Sequence, residues 1–280
     1  MDSVILLNKP TGMTSFDAVA KCRRILHEKK TGHTGTLDPN ASGLMIVLTG
    51  KYTKLLPYCK KDRKVYHAEF SLGKKSDTGD IWGTVLDEKE PRMHTKDELE
   101  EAAASLTGNI LQVPPMYSAI RKDGKRLYEY ARKGIEIERE ARPATVFSLD
   151  VHTENGIDFT MDATVSSGTY VRTLITDFAE KLGEYAVMTS LVRTGIDGLT
   201  LSMAATFESL EANEGFLDPL AVIAPEYEIV EAEDEKRIRN GMTIRIEHAA
   251  DQVILVKDRT ILAAYEKRAD GFYHCLRGLF

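Results

Sequence analysis

The segment 31–43 holds the residue types best suited to chemistry in this 280-residue chain. It reads TGHTGTLDPNASG, so glycines bracket one imidazole, His33, and one carboxylate, Asp38. Glycine permits backbone conformations and close approaches that other residues do not, and Pro39 restricts Asp38 to an extended or turn conformation. Because loops on rigid scaffolds often carry function, we expect the Asp38 carboxylate to project from a stiff loop that leads into a buried strand at 44–48.

Several chemistries for Asp38 are disfavoured by its surroundings, although a phosphate cradle and a metal site stay open. The chain has no GxxxxGK[ST] loop, and the carboxylate would repel a phosphate. One His and one Asp are too few for a metal site, and no GxSxG elbow supplies a serine nucleophile. A lone carboxylate nucleophile fits attack on a sugar carbon or on an electron-poor pyrimidine. A purely structural Asx turn at Asp38 stays open from the local sequence.

A second constellation, SGTYVR at 167–172, places an aromatic ring and a guanidinium two residues apart at a predicted helix start. Arginine is always charged and can pair bidentately with a carboxylate. If Arg172 met Asp38, it would hold that carboxylate ionised in a cleft that otherwise favours the neutral acid. The alternative is an ordinary surface arginine at a helix start.

Tyrosines supply a third feature. Tyr66 falls on the apolar face of an alternating strand at 65–72, where core packing is the default role. The segment 121–142 interleaves tyrosines with basic residues, a composition suited to unpaired RNA, whose bases stack on aromatic rings. An ordinary amphipathic helix is the alternative for this segment. Its members are Tyr128 and Tyr130 with Arg121, Lys122, Lys125, Arg126, Arg132 and Lys133.

The elements that must position these residues are strands mixed with single helices. Hydrophobic patterning predicts strands at 4–8, 44–48, 65–72, 144–153 and 158–166. It predicts helices from an N-cap at Ser15 to about 26, from a Thr95–Glu98 capping box to near 108, and from 171 to a stop at Gly183. After an acidic stretch that ends at 235, short strands are predicted at 242–246, 253–256, 261–265 and 272–276. Such a pattern indicates an α/β or α+β body with a small β-rich appendage.

Charge and composition bound the class of protein. The net charge is −6, yet residues 1–75 carry 14 Lys and Arg against 6 Asp and Glu, while 200–235 holds ten acidic residues and no basic one. Screening confines surface fields to about 10 Å, so a basic face could bind phosphates; an unevenly charged solvated surface is the alternative.

The cysteines, Cys22, Cys59 and Cys275, form no CxxC pair and indicate no disulfide framework. No apolar stretch approaches the roughly 20 residues that span a bilayer, and we expect a cytoplasmic protein.

Six motifs, in order between residues 4 and 195, resemble those of the tRNA pseudouridine synthase B family. The Asp38 loop resembles the catalytic loop of that family, which makes pseudouridine 55 in the TΨC loop of tRNA. The matching segments are 9–15, 32–39 with 41–44, Tyr66 with 72–73 and 77–80, 112–115 with 117–119, 167–172, and 191–194. A weaker match at 238–244 is similar to the opening of a PUA-type RNA-binding module.

The resemblance implies an α+β fold with a pseudouridine-synthase-type mixed, mostly antiparallel sheet flanked by helices. It implies a catalytic domain at 1–228 and a small, β-rich, PUA-like domain at 229–280. The C-terminal match is short and poor in basic residues. Contact with RNA and a purely stabilising role both stay open for that domain.

The resemblance also assigns roles to residues. Asp38 would be the nucleophile, Tyr66 would stack on the target uracil and abstract a proton, and Arg172 would pair with Asp38. The remaining roles concern the substrate and its support. His33 would occupy the space that the flipped base leaves, Tyr170 and Leu191 would line the uridine pocket, Asp80 would support the site through a polar network, and Lys9 would order the N-terminal motif or contact RNA.

The implied enzyme acts on the TΨC stem-loop of tRNA, by base flipping, with no cofactor and no metal. We expect a monomer without an obligatory protein partner. Three other readings stay open: a non-catalytic tRNA-binding protein, an RNA-guided synthase with a similar core, and a glycosidase that releases uracil. A glycosidase usually needs a second acid, and an RNA-guided synthase predicts partner proteins and a larger appendage.

Overall fold

Eighteen strands and six α-helices form within residues 1–247 and 250–279, which the computed structural model describes. The strands are β1 (Ser3–Lys9), β2 (Thr31–His33), β3 (Ser42–Thr49), β4 (Arg63–Leu72), β5 (Lys74–Ser76), β6 (Val85–Glu88), β7 (Gly108–Gln112), β8 (Arg121–Lys122), β9 (Lys125–Arg126), β10 (Arg142–Thr153), β11 (Asp158–Ser166), β12 (Ala186–Ile196), β13 (Leu199–Thr200), β14 (Phe216–Leu217), β15 (Glu228–Glu231), β16 (Gln252–Lys257), β17 (Thr260–Lys267) and β18 (Tyr273–Gly278). The helices are α1 (Ser15–Ile25), α2 (Lys96–Ser105), α3 (Leu127–Ala131), α4 (Val171–Lys181), α5 (Phe207–Glu211) and α6 (Glu235–Arg239). Short 3₁₀ helices cover Gly50–Tyr58, Leu201–Met203 and Pro219–Val222.

The chain divides into two compact units, the first formed by Met1–Lys61 with Asp197–Phe280 and the second by Asp62–Ile196. Both contain mostly antiparallel strands with helices, so the predicted α+β class is confirmed. The chain passes out of the first unit and returns to it. The predicted boundary between 228 and 229 stays a prediction.

The first unit contains two sheets. Strands pair antiparallel in the order β14-β1-β3, and β2 also pairs with β3. Apolar residues of β1 and β3 pack with Cys22 of α1 and with Phe207 of α5 in one core. The other sheet has the order β15-β16-β17-β18 and its own core, which includes Leu262 and Tyr265. The predicted β-rich C-terminal region is confirmed, but the strand expected at 242–246 is wrong, because only Ile244 pairs there, through one bridge to Tyr273.

The second unit is built on an antiparallel sheet of order β12-β4-β11-β10-β7. Helix α4 covers one face of this sheet. Its Phe178 meets Phe70 of β4 edge-on, with ring centroids 5.9 Å apart, and Phe70 stacks on Phe159 of β11 at 5.1 Å. The alternation predicted for 65–72 is confirmed, because Tyr66 and the residues two, four and six places further on are all buried. Tyr66 therefore lies on the face that α4 covers.

Helix boundaries follow the predicted capping with one correction. α2 begins after Thr95 with the predicted capping box, and Gly183, at φ +72°, follows the end of α4. α1 is capped by Thr14, whose side chain accepts a hydrogen bond from the backbone N–H of Asp17. The prediction that Ser15 is the N-cap is wrong, because Ser15 is already helical and its hydroxyl bonds elsewhere.

Candidate active site

The backbone before Asp38 is fixed by the side chain of Ser15. The Ser15 hydroxyl accepts a hydrogen bond from the Leu37 N–H at 2.8 Å and donates one to the Leu37 carbonyl at 3.0 Å. Both residues are buried. One side chain therefore satisfies both backbone groups of the residue next to Asp38.

The backbone after Asp38 is fixed by the N-terminal motif. The Pro39 carbonyl accepts from the Gly12 N–H at 3.0 Å and from Lys9 Nζ at 3.4 Å. Gly12 has φ +79°, a left-handed conformation that favours glycine. Lys9 is fully buried and also donates to the carbonyls of Pro10 and Met13, both at 2.8 Å. These contacts support an ordering role for Lys9, one of the two roles predicted from the sequence.

Asp38 itself is half-buried, and its carbonyl accepts from the Ala41 N–H at 3.1 Å, which closes a turn. His33 ends β2 opposite Val47 of β3. The first three residues of the predicted loop thus belong to a strand, and the loop is shorter than the sequence predicts. Within the first unit, the structure places Asp38, Lys9 and His33 on segments attached to the β1–β3 sheet.

In the second unit, Tyr66 and Leu191 share one face of the sheet. Leu191 of β12 lies opposite Ala68 of β4, and Arg193 lies opposite Tyr66. Each of Tyr66 and Leu191 is only 7% exposed, and Arg193 is fully buried. A β-bulge at Thr189 shifts the register of β12, which places Leu191 and Arg193 on the Tyr66 face.

Arg172 lies in the first turn of α4 and is 4% exposed. Its Nη1 donates to the Thr78 carbonyl at 2.7 Å, and its Nη2 donates to the Tyr117 carbonyl at 2.8 Å. The predicted alternative of a surface arginine is wrong. The guanidinium is held by two segments that are distant in sequence.

Asp80 belongs to the same network as Arg172. Its Oδ1 accepts from the Thr78 hydroxyl at 2.7 Å and from the Trp82 N–H at 3.1 Å. The backbone on either side of Asp80 bonds to Met188 of β12, through the Gly79 carbonyl and the Ile81 N–H, both at 3.0 Å. Asp80 thus orders the turn whose Thr78 carbonyl holds Arg172.

The basic segment 121–142 begins as a two-stranded hairpin, β8–β9, followed by the short helix α3. The guanidiniums of Arg126 and Arg132 lie 5.8 and 5.3 Å from the centroid of the Tyr128 ring. Lys125 Nζ lies 5.9 Å from the centroid of the Tyr130 ring. The segment therefore places cations next to aromatic rings. Its role in binding unpaired RNA stays a prediction.

Sequence reasoning missed two buried polar groups that hold these residues. One is the Ser15 hydroxyl, which was assigned to helix capping. The other is the Gln112 side chain, which bonds both backbone groups of Tyr170. The sequence signal for the second group is a polar glutamine placed directly before Val113 and two prolines, where the chain is stiff enough to hold its side chain in place.

Neither a metal centre nor a membrane-spanning helix emerges from the part of the chain that the structure describes. Within 1–247 and 250–279, no three His, Cys, Asp or Glu side chains come together as metal ligands. None of the helices in those ranges is long and apolar enough to cross a bilayer.

Comparison with known proteins decides the family. Residues 23–171 match the family described as TruB family pseudouridylate synthase (N terminal domain). The chain belongs to this family. Family members are enzymes that isomerise uridine to pseudouridine, so the family predicted from the six motifs is confirmed.

Individual relatives cover nearly the whole chain. The chain is 38% identical to tRNA pseudouridine synthase B of Lactobacillus delbrueckii subsp. bulgaricus, over 97% of this chain and 96% of the relative. It is 40% identical to the protein of the same name from Geobacillus thermodenitrificans, over 95% of each. These TruB relatives therefore match the second unit and both parts of the first.

A solved structure supports the fold. The structure titled Crystal Structure of a Cbf5-Nop10-Gar1 Complex matches with a TM-score of 0.69, covering 99% of this chain and 85% of that one. Identity is 22%, so the likeness concerns the fold. It confirms the predicted pseudouridine-synthase-type architecture.

Proposed function

We propose that this chain converts uridine 55 in the TΨC loop of tRNA to pseudouridine, with Asp38 as the nucleophile. The observation that carries the proposal is the similarity to enzymes named tRNA pseudouridine synthase B over at least 95% of both chains. The reaction is an isomerisation. The bond between the ribose C1′ and uracil N1 breaks, C1′ bonds to C5, and a proton leaves C5 while N1 gains one.

The target base must leave the RNA stack before it can react. Extrusion costs a few kcal/mol, and stacking on an aromatic ring returns about 1–3 kcal/mol per base. Tyr66 is the ring assigned to that stack and to removal of the C5 proton. Its position beside Leu191, on a face buried from water, supports this role because a dry pocket protects a cleaved intermediate from hydrolysis.

Asp38 must stay ionised to act as a nucleophile, and Arg172 is the assigned counter-charge. A guanidinium has five N–H donors. Two of them serve the carbonyls of Thr78 and Tyr117, which fixes the plane in which the others can meet a carboxylate.

The other assigned residues bind or support the substrate. His33 fills the space vacated by the flipped base, and Tyr170 lines the uridine pocket with Leu191. Asp80 supports Arg172 through Thr78, and Lys9 orders the segment that bears Asp38. Attack of the carboxylate on C1′, attack on C6 of the ring, and formation of a glycal all use these same residues.

The decisive experiment is mass spectrometry of chemically derivatised tRNA after incubation with the purified protein. We expect a pseudouridine at position 55 with the wild type and none with Asp38→Asn, whose tRNA affinity stays within about tenfold because the change removes charge but little shape. Asp97→Asn, at an exposed carboxylate of α2, is the matched control and retains conversion.

Each alternative has its own signature in the same assay. Free uracil in place of a retained isomer identifies a glycosidase. Tight binding of tRNA by wild type and Asp38→Asn, with no new base in either, identifies a non-catalytic binding protein. Normal conversion by Asp38→Asn contradicts the assignment of the nucleophile.

We also propose that the enzyme acts in the cytoplasm as a monomer and needs no protein partner. Conversion by the purified chain alone, with a sedimentation coefficient of a single 31.2 kDa species, is the expected result. Activity that appears only after addition of a cell extract contradicts it.

A further inference from the structure

The side-chain amide of Gln112 pairs with both backbone groups of Tyr170, as the backbone of a neighbouring strand would. Gln112 ends β7 and is 3% exposed. Its Nε2 donates to the Tyr170 carbonyl at 3.1 Å, and its Oε1 accepts from the Tyr170 N–H at 2.7 Å. One buried amide therefore fixes both backbone groups of a single residue.

The residue that Gln112 holds is the one from which α4 starts. Tyr170 is the N-cap of α4, yet its own side chain makes no capping hydrogen bond, and no acidic residue lies in the first turn. A helix usually starts from a Ser, Thr, Asp or Asn that binds the first free N–H groups. At α4 the entry of the chain is instead set from β7, a different element.

The same stretch of chain also contacts Arg172. Five residues after Gln112, the Tyr117 carbonyl accepts from Arg172 Nη2 at 2.8 Å. Between them lie Pro114 and Pro115, whose rings fix φ and stiffen the connection. One end of this short segment thus holds the backbone of Tyr170, and the other holds the guanidinium two residues further on.

We propose that Gln112 is a positioning residue for the reaction. Its amide sets the backbone of Tyr170 and, through the start of α4, the places of the Tyr170 ring and the Arg172 guanidinium. This inference rests on the proposed function, in which Tyr170 lines the uridine pocket and Arg172 pairs with the nucleophile. A misplacement of about 1 Å can cost on the order of a hundredfold in rate.

The substitution Gln112→Glu tests this through its pH dependence. A neutral carboxylic acid has the shape of the amide, donates to the Tyr170 carbonyl and accepts from its N–H. The ionised form has no proton to donate and sets a charge against that carbonyl. Burial favours the neutral form and raises the pKa of the introduced carboxyl above its ordinary value of about 4.3.

The measurement is the single-turnover rate of pseudouridine formation per folded molecule, from pH 5.5 to 8.5, with the folded fraction taken from circular dichroism. We expect the Gln112→Glu rate at pH 8.5 to be at least about tenfold below wild type, and the deficit to shrink as the pH falls. We expect the KM for tRNA to stay within about threefold, because the contact orders groups at the reacting base.

Asn109→Asp is the matched control, because it makes the same amide-to-acid change on the same strand at an exposed position. Asn109 accepts only from the Thr145 hydroxyl at 3.0 Å among the hydrogen bonds described for its side chain. Its variant is expected to follow the wild-type pH profile. If Gln112→Glu does not fold, Gln112→Met fills the same buried space without hydrogen bonds and is expected to lower the rate at every pH.

The outcomes separate this inference from the function on which it rests. A wild type that makes no pseudouridine contradicts the function. An active wild type with Gln112 variants of equal rate per folded molecule overturns the positioning role. A smaller folded fraction with an unchanged rate per folded molecule also overturns it, because the amide would then serve stability alone.

Discussion

The backbone around the proposed nucleophile, Asp38, is held by the side chains of Ser15 and Lys9. Ser15 bonds both backbone groups of Leu37, and Lys9 bonds the Pro39 carbonyl on the other side of Asp38. A buried backbone group without a partner costs about 1–3 kcal/mol. The hydroxyl and the ammonium therefore fix the backbone on either side of Asp38.

Ser15→Ala removes the partner of two buried backbone groups. We expect the free energy of unfolding to fall by about 2 kcal/mol or more, because two buried groups each lose a partner, and the kcat for pseudouridine formation to fall about tenfold or more, because the Asp38 loop loses its anchor. Urea denaturation and the tRNA assay measure the two effects. Ser202→Ala, at an exposed hydroxyl that contacts only Thr200 among its described partners, is expected to match wild type in both. An unchanged kcat for Ser15→Ala contradicts the anchoring role.

At this scale, the sequence predicts which residues matter better than what holds them. Asp38 was identified from its glycine-rich surroundings and the family motif. Ser15 is predicted to cap α1 because serine is among the preferred N-cap residues, and the adjacent Thr14 is a weaker candidate by type. Thr14 takes the cap, and only tertiary structure shows that the Ser15 hydroxyl then turns to Leu37.

Among the elements, α4 carries a carboxyl group, that of Asp177, whose ionised form is disfavoured by its surroundings. Burial, and then the nearby charge of Glu180, raise the pKa of Asp177 to about 6. The folded protein therefore binds this proton more tightly than the unfolded chain does. The protonated Asp177 carboxyl therefore makes its full contribution to the free energy of unfolding below pH 4, and this contribution is lost as the pH rises through 6.

Asp177→Asn removes this titration. We expect the variant to exceed wild type in free energy of unfolding by about 1 kcal/mol at pH 7.5, a figure reduced for solvent screening of a half-buried group, and to equal it near pH 4. Urea denaturation at the two pH values measures the difference. The same substitution at the exposed Asp150 is the control, with no gain at pH 7.5. A gain of equal size at both pH values contradicts the assignment.

The segment that leads into α2 is tied to the turn after α4 by a buried carboxylate. Glu184 is 4% exposed, and Lys89 Nζ lies 2.8 Å from its Oε2. The fully buried His94 side chain has its Nε2 3.4 Å from the other oxygen. Burial raises the pKa of Glu184, but hydrogen bonds from Lys89 and Arg92 outweigh it, so the pKa is lowered overall.

Lys89→Met leaves this buried carboxylate without its nearest cation. We expect the free energy of unfolding at pH 7 to fall by about 1–3 kcal/mol. The loss shrinks as acid protonates Glu184, because a carboxylate with a lowered pKa stabilises the fold only while ionised. Lys96→Met, at an exposed lysine paired with Glu100, is expected to cost less than about 0.5 kcal/mol. Equal costs for the two variants in urea denaturation contradict the buried pair.

Elements with a clean hydrophobic period were predicted, and those without one were missed. β4 alternates without interruption, and α2 carries a capping box, so both were found near their true bounds. β12 was not predicted, because bulges at Thr189 and Thr194 interrupt the period of two that identifies a strand. β7 is only five residues long and ends at Gln112.

At the scale of the whole molecule, the two compact units are not two successive halves of the sequence. The first unit takes its residues from both ends of the sequence, and the second is inserted between them. Charge and composition change along the chain, and they indicate a boundary where the acidic stretch ends at 235. The boundary between 228 and 229 is the one that the family resemblance implies. A unit assembled from two distant segments has no signature in composition, and only long-range strand pairing defines it.

The three thiols give a prediction for the molecule as a whole. Cys22 and Cys59 are fully buried, and burial raises the pKa of Cys22 to about 11 and that of Cys59 to about 12. Cys275 is partly exposed. We expect a chromogenic disulfide to label one thiol rapidly in the native protein at pH 8 and all three in urea, because thiolates are the reactive form. Cys275→Ser is expected to abolish rapid labelling; fast reaction of a second thiol contradicts the burial.

The bulge at Thr189 makes the length of β12 matter more than its composition. Losing one residue between Met188 and Ser190 would invert the parity of the strand, which would turn Leu191 and Arg193 away from Tyr66. Exchanges of side chain here are local changes, whereas a single-codon deletion would rearrange half of the proposed uridine pocket at once. Homologues that keep the activity should therefore differ in the amino acids of β12 but have the same number of residues in this strand.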